Sequence, residues 1–298
     1  MKQPVFEGVC TALVTPFRNG TVDTQKLKQL LELQIRHGVS AVVLSGTTGE
    51  SPTLRDEEKE TLLKTAVEYS AGRMKIIAGT GCNDTAGTVR SSRVAASMGA
   101  DALLVVTPYY NRPSQSGLID HFATVADSVS CPVILYNVPS RTCTDLSVEA
   151  CRILSEHPNI NGIKEASGNL SKVQRMLECC GDSLPVWSGN DDQITAMMSI
   201  GGCGVISVLS NILPKETVHL IELCKLNDYQ SAAKLQCEWM PLIDALFMEA
   251  NPIPVKAAMN LLQYDVGLPR LPLTDLRASG KELLASLLDK YHVPFFSA

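Results

Sequence analysis

The sequence predicts an α/β fold of the closed (β/α)8 type, a TIM barrel, with a C-terminal helical extension. Three observations predict it. Eight short apolar runs rich in β-branched residues recur along the first three-quarters of the 298 residues. Amphipathic stretches of helical period separate many of them, the pattern of repeated βα units. Beyond Leu213 the strand signal stops and only helical patterns remain. Continuously apolar strands fit a parallel sheet covered on both faces, and eight units suggest a closed barrel rather than an open sheet.

In order, the expected strands are residues 8–14, 41–45, 74–78, 102–106, 132–136, 160–164, 185–188 and 204–208. The seventh is short and follows Pro185. Helical patterns run over 24–37, 56–70, 85–98 and 171–180. Residues 214–226, 228–247, 253–263 and 274–291 read as helices punctuated by prolines and Gly267. The expected division is a barrel over 1–225, with its site at the C-terminal strand ends, and a helical domain over 226–298, packed on the barrel or on a neighbouring subunit.

Composition excludes several function classes. The chain is 45% hydrophobic, 19% charged and 5% aromatic, with a net charge of −5. That balance offers no electrostatic attraction to nucleic acid or to a membrane surface, and no aromatic platform for bases. The first eight residues lack the apolar core of a signal peptide, and no apolar run is long enough to span a bilayer. The ten cysteines are scattered without a C-x-x-C pair, so they are read as free thiols of a cytoplasmic protein.

Residues at the strand ends carry the chemistry. Gly46-Thr47-Thr48-Gly49-Glu50-Ser51 follows the second run, Gly79-Thr80-Gly81-Cys82-Asn83 the third, and Thr107-Pro108-Tyr109-Tyr110-Asn111 the fourth. The fifth ends in Tyr136-Asn137-Val138-Pro139-Ser140-Arg141-Thr142, the sixth in Lys164, the seventh in Ser188-Gly189-Asn190-Asp191, and the eighth contains Ile206. All five histidines fall in helical or terminal segments, so neither a metal triad nor a histidine relay can be assembled. Gly79-Thr80-Gly81 lacks the third glycine of a dinucleotide loop. Singly, each residue has a structural reading: a snorkelling lysine, a core tyrosine, turn glycines, a pairing arginine. Their convergence at one rim tips the balance.

A lysine at the mouth of a buried strand is costly as a cation and useful as a neutral amine that attacks a ketone. Expelling water from the carbinolamine requires a proton shuttle, which tyrosine and threonine hydroxyls supply without adding a permanent charge. The Gly46–Gly49 turn can hold a keto acid's carboxylate, and Arg141 can hold a second carboxylate in fork geometry. The iminium is itself the electron sink, so no cofactor is expected.

These residues, together with Gly162-Ile163-Lys164-Glu165-Ala166 and Asn251-Pro252-Ile253-Pro254-Val255-Lys256, identify the chain as similar to the pyruvate-dependent class I aldolase family, which includes N-acetylneuraminate lyase. The similarity covers essentially the full length. It implies that Lys164 forms the imine with pyruvate, and that Thr48 and Ile206 hold pyruvate, with Gly189 also at the substrate site. Tyr136 would donate and accept protons, linked through Thr47 to a Tyr110 supplied by the adjacent subunit. The active unit would then be a homo-oligomer, at least a dimer and usually a tetramer. Arg141 matches the position that receives the carboxylate of L-aspartate-4-semialdehyde, the acceptor on the diaminopimelate route to lysine. The segment from Asn251 to Lys256 is read as structural.

One departure stands out. In lysine-inhibited relatives the effector meets a glutamate where this chain has Gly87, and flanking histidines are replaced by Asp56 and Lys59. Ser51, Asn83 and Tyr109 do match that effector site. Losing the carboxylate that partners the effector's ammonium predicts weak or absent lysine inhibition. Sister aldolases that act on N-acetylneuraminate or 2-keto-3-deoxy sugar acids are the alternative, and Ser140-Arg141-Thr142 disfavours them. A catalytically silent barrel acting as a binding subunit is disfavoured because no reactive residue is missing.

Overall fold

The computed structural model describes residues 2–296. Eight parallel strands close into a barrel: β1 (Gly8–Ala12), β2 (Ala41–Leu44), β3 (Lys75–Gly79), β4 (Ala102–Val106), β5 (Val133–Asn137), β6 (Ile160–Glu165), β7 (Val186–Ser188) and β8 (Gly204–Ser207). Each pairs with the next, and β1 also pairs with β8, so no edge remains. All eight apolar runs fall on strands: a strand covered on both faces wants apolar residues on each, and runs this short and rich in β-branched residues suit a strand better than a buried helix. Polar side chains start several of the intervening helices. Asp23 accepts from Lys26 N–H ahead of the helix Thr24–Arg36. Asp84 accepts from Ala86 and Gly87 ahead of Thr85–Ser97, and Asn169 caps Leu170–Cys180.

The barrel is filled, not hollow. Inward residues Cys10, Val43, Ile77, Leu104, Ile134, Tyr136, Trp187 and Ile206 form one cluster, and the strand–helix layer forms another. Trp187 is fully buried, stacks on Phe6 at 4.9 Å between ring centroids, and donates its indole N–H to the Phe6 carbonyl at 3.2 Å. A Cβ on Gly162 would lie 2.6 Å from the Trp187 ring and 2.4 Å from the Pro185 carbonyl. Glycine is therefore what lets the indole enter. Truncating such a buried aromatic costs about 3–5 kcal/mol. Phe6 precedes β1, so this stack occupies the N-terminal end of the barrel and leaves the other end for a site.

The C-terminal helices are Pro214–Lys225, Tyr229–Leu246, Ile253–Leu261 and Ala278–Lys290. The last starts four residues later than its pattern suggests. Asp275 accepts from the Leu276 N–H and pairs with Lys281 instead of joining a helical turn. A two-stranded ribbon, Phe17–Arg18 with Thr21–Val22, was not legible in the sequence, because two residues carry no periodicity. It matters here, since Phe17 N–H donates to the Val266 carbonyl and a Cβ on Gly267 would lie 2.3 Å from the Phe17 carbonyl. The ribbon thereby fastens the C-terminal segment to the barrel rim. No described helix is long and apolar enough to cross a membrane. All ten cysteines are free.

Candidate active site

Lys164 and Tyr136 are register partners on β6 and β5, so both side chains point into the barrel mouth. Lys164 is buried, and its amine lies 4.3 Å from the centre of the Tyr136 ring. Gly189, just past β7, leaves room for it: a Cβ there would fall 3.0 Å from Lys164 Cε and 2.7 Å from Ala166 Cβ. Ile206 is fully buried opposite Cys10. Asp191 is buried as well, and its Oδ2 accepts from the Val208 and Leu209 N–H groups at 2.9 Å each. Burial pushes its carboxyl above the usual range, against hydrogen bonds from Ser207, Leu209 and Val208 and the nearby Lys164 charge.

The outward residues next to this pair are braced together. Asn137 pairs with Glu165 in register. Its amide donates to Asp145 Oδ1 at 2.8 Å and to Glu165 Oε2 at 3.0 Å, while its oxygen accepts from Leu146 N–H at 3.0 Å. Glu165 accepts from Ser167 N–H at 2.6 Å, and Lys172 pairs with Asp145. This network fixes the ends of β5 and β6, so the two inward side chains inherit a rigid frame.

The Gly46–Ser51 turn is held from outside the barrel. Thr48 is buried, and its Oγ1 accepts from Asn251 Nδ2 at 2.9 Å. Thr15 Oγ1 donates to the Gly49 carbonyl at 2.7 Å. Glu50 adopts a left-handed backbone, φ 57°, and ion-pairs with Lys256 at 2.8 Å, both side chains fully buried. Burial pulls the Lys256 amine below the usual lysine range, with Glu50 acting in the opposite sense. Of the segment Asn251–Lys256, Lys256 is held inside the framework while Asn251 reaches the cavity lining.

That cavity has a volume of about 780 Å³. Thr47, Tyr136 and Arg141 line it, as do Ser51, Gly87 and Tyr109. Thr48, Lys164, Ile206 and Gly189 are not among its lining residues. Lys164 and Gly189 are in contact range of one another, beside Tyr136. Arg141 sits on the single turn Pro139–Thr142, which Thr142 anchors by bonds to Thr107 at 3.1 Å and to the Thr144 carbonyl at 2.9 Å. Tyr110 is not brought in: it is 90% exposed and lines no part of the cavity. Asn83 stays outside too, its carbonyl accepting from Asn111 at 2.7 Å.

The model of the dihydrodipicolinate synthetase family matches residues 5–291. The chain belongs to this family. Among dihydrodipicolinate synthetase relatives, the 4-hydroxy-tetrahydrodipicolinate synthase of Exiguobacterium sibiricum is 49% identical over 288 residues, 96% of this chain and 98% of that protein. The dihydrodipicolinate synthase of Aquifex aeolicus superposes with a TM-score of 0.95 at 42% identity, covering 98% of this chain and 100% of that one. The chloride-inhibited enzyme of Acinetobacter baumannii, solved in complex with pyruvate, gives a TM-score of 0.94 at 39% identity over 96% and 99% of the two chains.

Proposed function

We propose that this enzyme, a lyase of the 4-hydroxy-tetrahydrodipicolinate synthase type, condenses pyruvate with L-aspartate-4-semialdehyde on the diaminopimelate route to lysine. The observation that carries the reading is the buried Lys164 amine 4.3 Å from the Tyr136 ring, at the C-terminal mouth of a barrel of this family. The Lys164 nitrogen attacks the pyruvate ketone, and water leaves to give the imine. Loss of a methyl proton yields the enamine, whose carbon attacks the aldehyde. The semialdehyde's own amine then attacks the imine carbon and displaces Lys164, closing the ring.

Tyr136 donates and accepts the protons of these steps, and Thr47, on the same cavity, passes them on. Thr48 holds the pyruvate carboxylate, Ile206 and Gly189 shape its seat, and Arg141 takes the carboxylate of the semialdehyde. Tyr110 projects into solvent from a single chain, which supports a relay completed by a second copy and a homo-oligomer of at least two chains, a tetramer in the fuller form. The barrel over 1–225 would carry the chemistry and the helices over 226–298 would support it, in the cytoplasm and without an external cofactor.

Turnover of pyruvate with L-aspartate-4-semialdehyde tests this reading, measured beside cleavage of N-acetylneuraminate and of 2-keto-3-deoxy sugar acids. Arg141→Leu is expected to raise KM for the semialdehyde by roughly tenfold or more, while pyruvate still forms its adduct. Faster cleavage of a sugar acid than condensation with the semialdehyde would overturn the assignment.

A further inference from the structure

We infer that the buried Glu50–Lys256 pair is a positioning device that sets the Thr47-Thr48-Gly49 turn and cancels a carboxylate charge beside the seat of pyruvate's carboxylate. This rests on the proposed pyruvate chemistry and adds residues to it. Lys256 spends all three ammonium protons: on Glu50 Oε1 at 2.8 Å, on the Thr15 carbonyl at 3.1 Å and on the Leu268 carbonyl at 3.3 Å. Its charge also lies 4.3 Å from the centre of the Phe17 ring. The second oxygen of Glu50 accepts from Arg270 N–H at 2.8 Å. One ammonium therefore joins the segment after β1, the turn after β2 and the chain beyond the helix Ile253–Leu261.

Stability alone does not account for such a pair. Apolar residues of similar volume usually stabilise a core as well as a buried ion pair does, whereas an ion pair fixes geometry. The geometry at issue is that of Glu50, whose left-handed backbone directly follows Gly49. A non-glycine residue stays in that region only when its surroundings over-determine it. The turn so held presents Thr47 to the cavity and Thr48 to Asn251, on the same segment as Lys256. Glu50 itself borders the cavity. Left unpaired, its carboxylate would stand as a negative charge two positions along the turn from Thr48 and disfavour a carboxylate bound there.

The test compares Lys256→Met, Glu50→Gln and the double variant, each shown folded by circular dichroism. Pyruvate KM and kcat are read separately, with the borohydride-trapped Lys164 adduct measured at limiting and at saturating pyruvate. Lys256→Met is expected to raise pyruvate KM by about tenfold with kcat within about threefold. The double variant, neutral again, is expected to recover at least about threefold of that loss. Should Lys256→Met fail to fold, Lys256→Gln, which also leaves the Glu50 carboxylate without its cation, decides by the same split. Folded variants that keep the wild-type KM while only their melting temperature falls would overturn the inference and leave the pair merely structural. Absence of any pyruvate adduct on the unmodified chain would instead remove the proposed function itself, so the two failures are distinguishable.

Discussion

Gly189→Ala adds one methyl group where the Lys164 side chain and the end of β6 pass. That carbon would sit 2.7 Å from Ala166 Cβ, 3.0 Å from Lys164 Cε and 3.3 Å from the Glu165 carbonyl. Carbon atoms rest at about 3.5–4.0 Å, so the ends of β6 and β7 must part by about 1 Å. Overpacking of this kind costs about 1–3 kcal/mol. Gly189 carries no left-handed φ, so the effect is contact and not backbone strain. The displaced groups are the Lys164 side chain, proposed to carry the imine, and its immediate neighbour, and a 1 Å misplacement can lower a rate by about a hundredfold. We expect the rate of adduct trapping with pyruvate, and kcat/KM, to fall by roughly 30- to 100-fold. Gly72→Ala is the control: its φ of 77° brings strain, but no atom lies within 4 Å of the new carbon. It should lower stability by about 1 kcal/mol and leave kinetics unchanged. Gly189→Ala trapping and turning over within about threefold of the wild type would refute the packing argument.

Two further outcomes follow from charges. Arg270 grips Glu58 through both guanidinium nitrogens at 2.6 and 2.8 Å, and this hydrogen bonding holds the Glu58 carboxyl at about 2, against 4.5 ordinarily, despite the opposing effect of burial. A depressed folded value gives stability that is present above the unfolded value and lost as pH falls through the folded one. Glu58→Gln should therefore cost about 1.5–3 kcal/mol at pH 7 by urea unfolding, and the gap to the wild type should close between pH 4.5 and about 2; a gap that widens on acidification would contradict the pairing. The second concerns L-lysine, titrated against initial rate. A Cβ at Gly87 would lie 2.9 Å from Asp84 Oδ2 and 3.5 Å from the Arg90 guanidinium; the Asp84 carboxylate is already taken up by the Ala86 and Gly87 N–H groups, and Gly87 itself brings no side chain to partner an effector's ammonium. Little or no inhibition is expected, and inhibition at micromolar lysine would refute this.

Much of the fold was legible because buried parallel strands announce themselves as largely apolar runs, and each of the eight runs falls on a strand. The strand-end rule then put Lys164, Tyr136, Thr47 and Arg141 at one rim; Thr47, Tyr136 and Arg141 line one cavity, and the Lys164 amine lies 4.3 Å from the Tyr136 ring without lining it. What the sequence hid depends on distant partners. Asn251 meets Thr48 across 203 positions and Lys256 meets Glu50 across 206; no local pattern encodes either contact. Asp191 looked like a loop residue after β7, and only the fold shows it buried beneath the N–H groups after β8. Tyr110 marks the opposite limit. It is named by resemblance, yet a single chain leaves it 90% exposed, and no pattern within one chain says what would cover it.

Borohydride reduction in the presence of pyruvate tests the proposed imine on Lys164 most directly. The reduced protein is digested and its peptides are read by mass spectrometry. One pyruvyl adduct is expected, on the peptide containing Lys164, and none without pyruvate. Folded protein that gives no adduct, or an adduct on another lysine such as Lys256, would contradict the proposal.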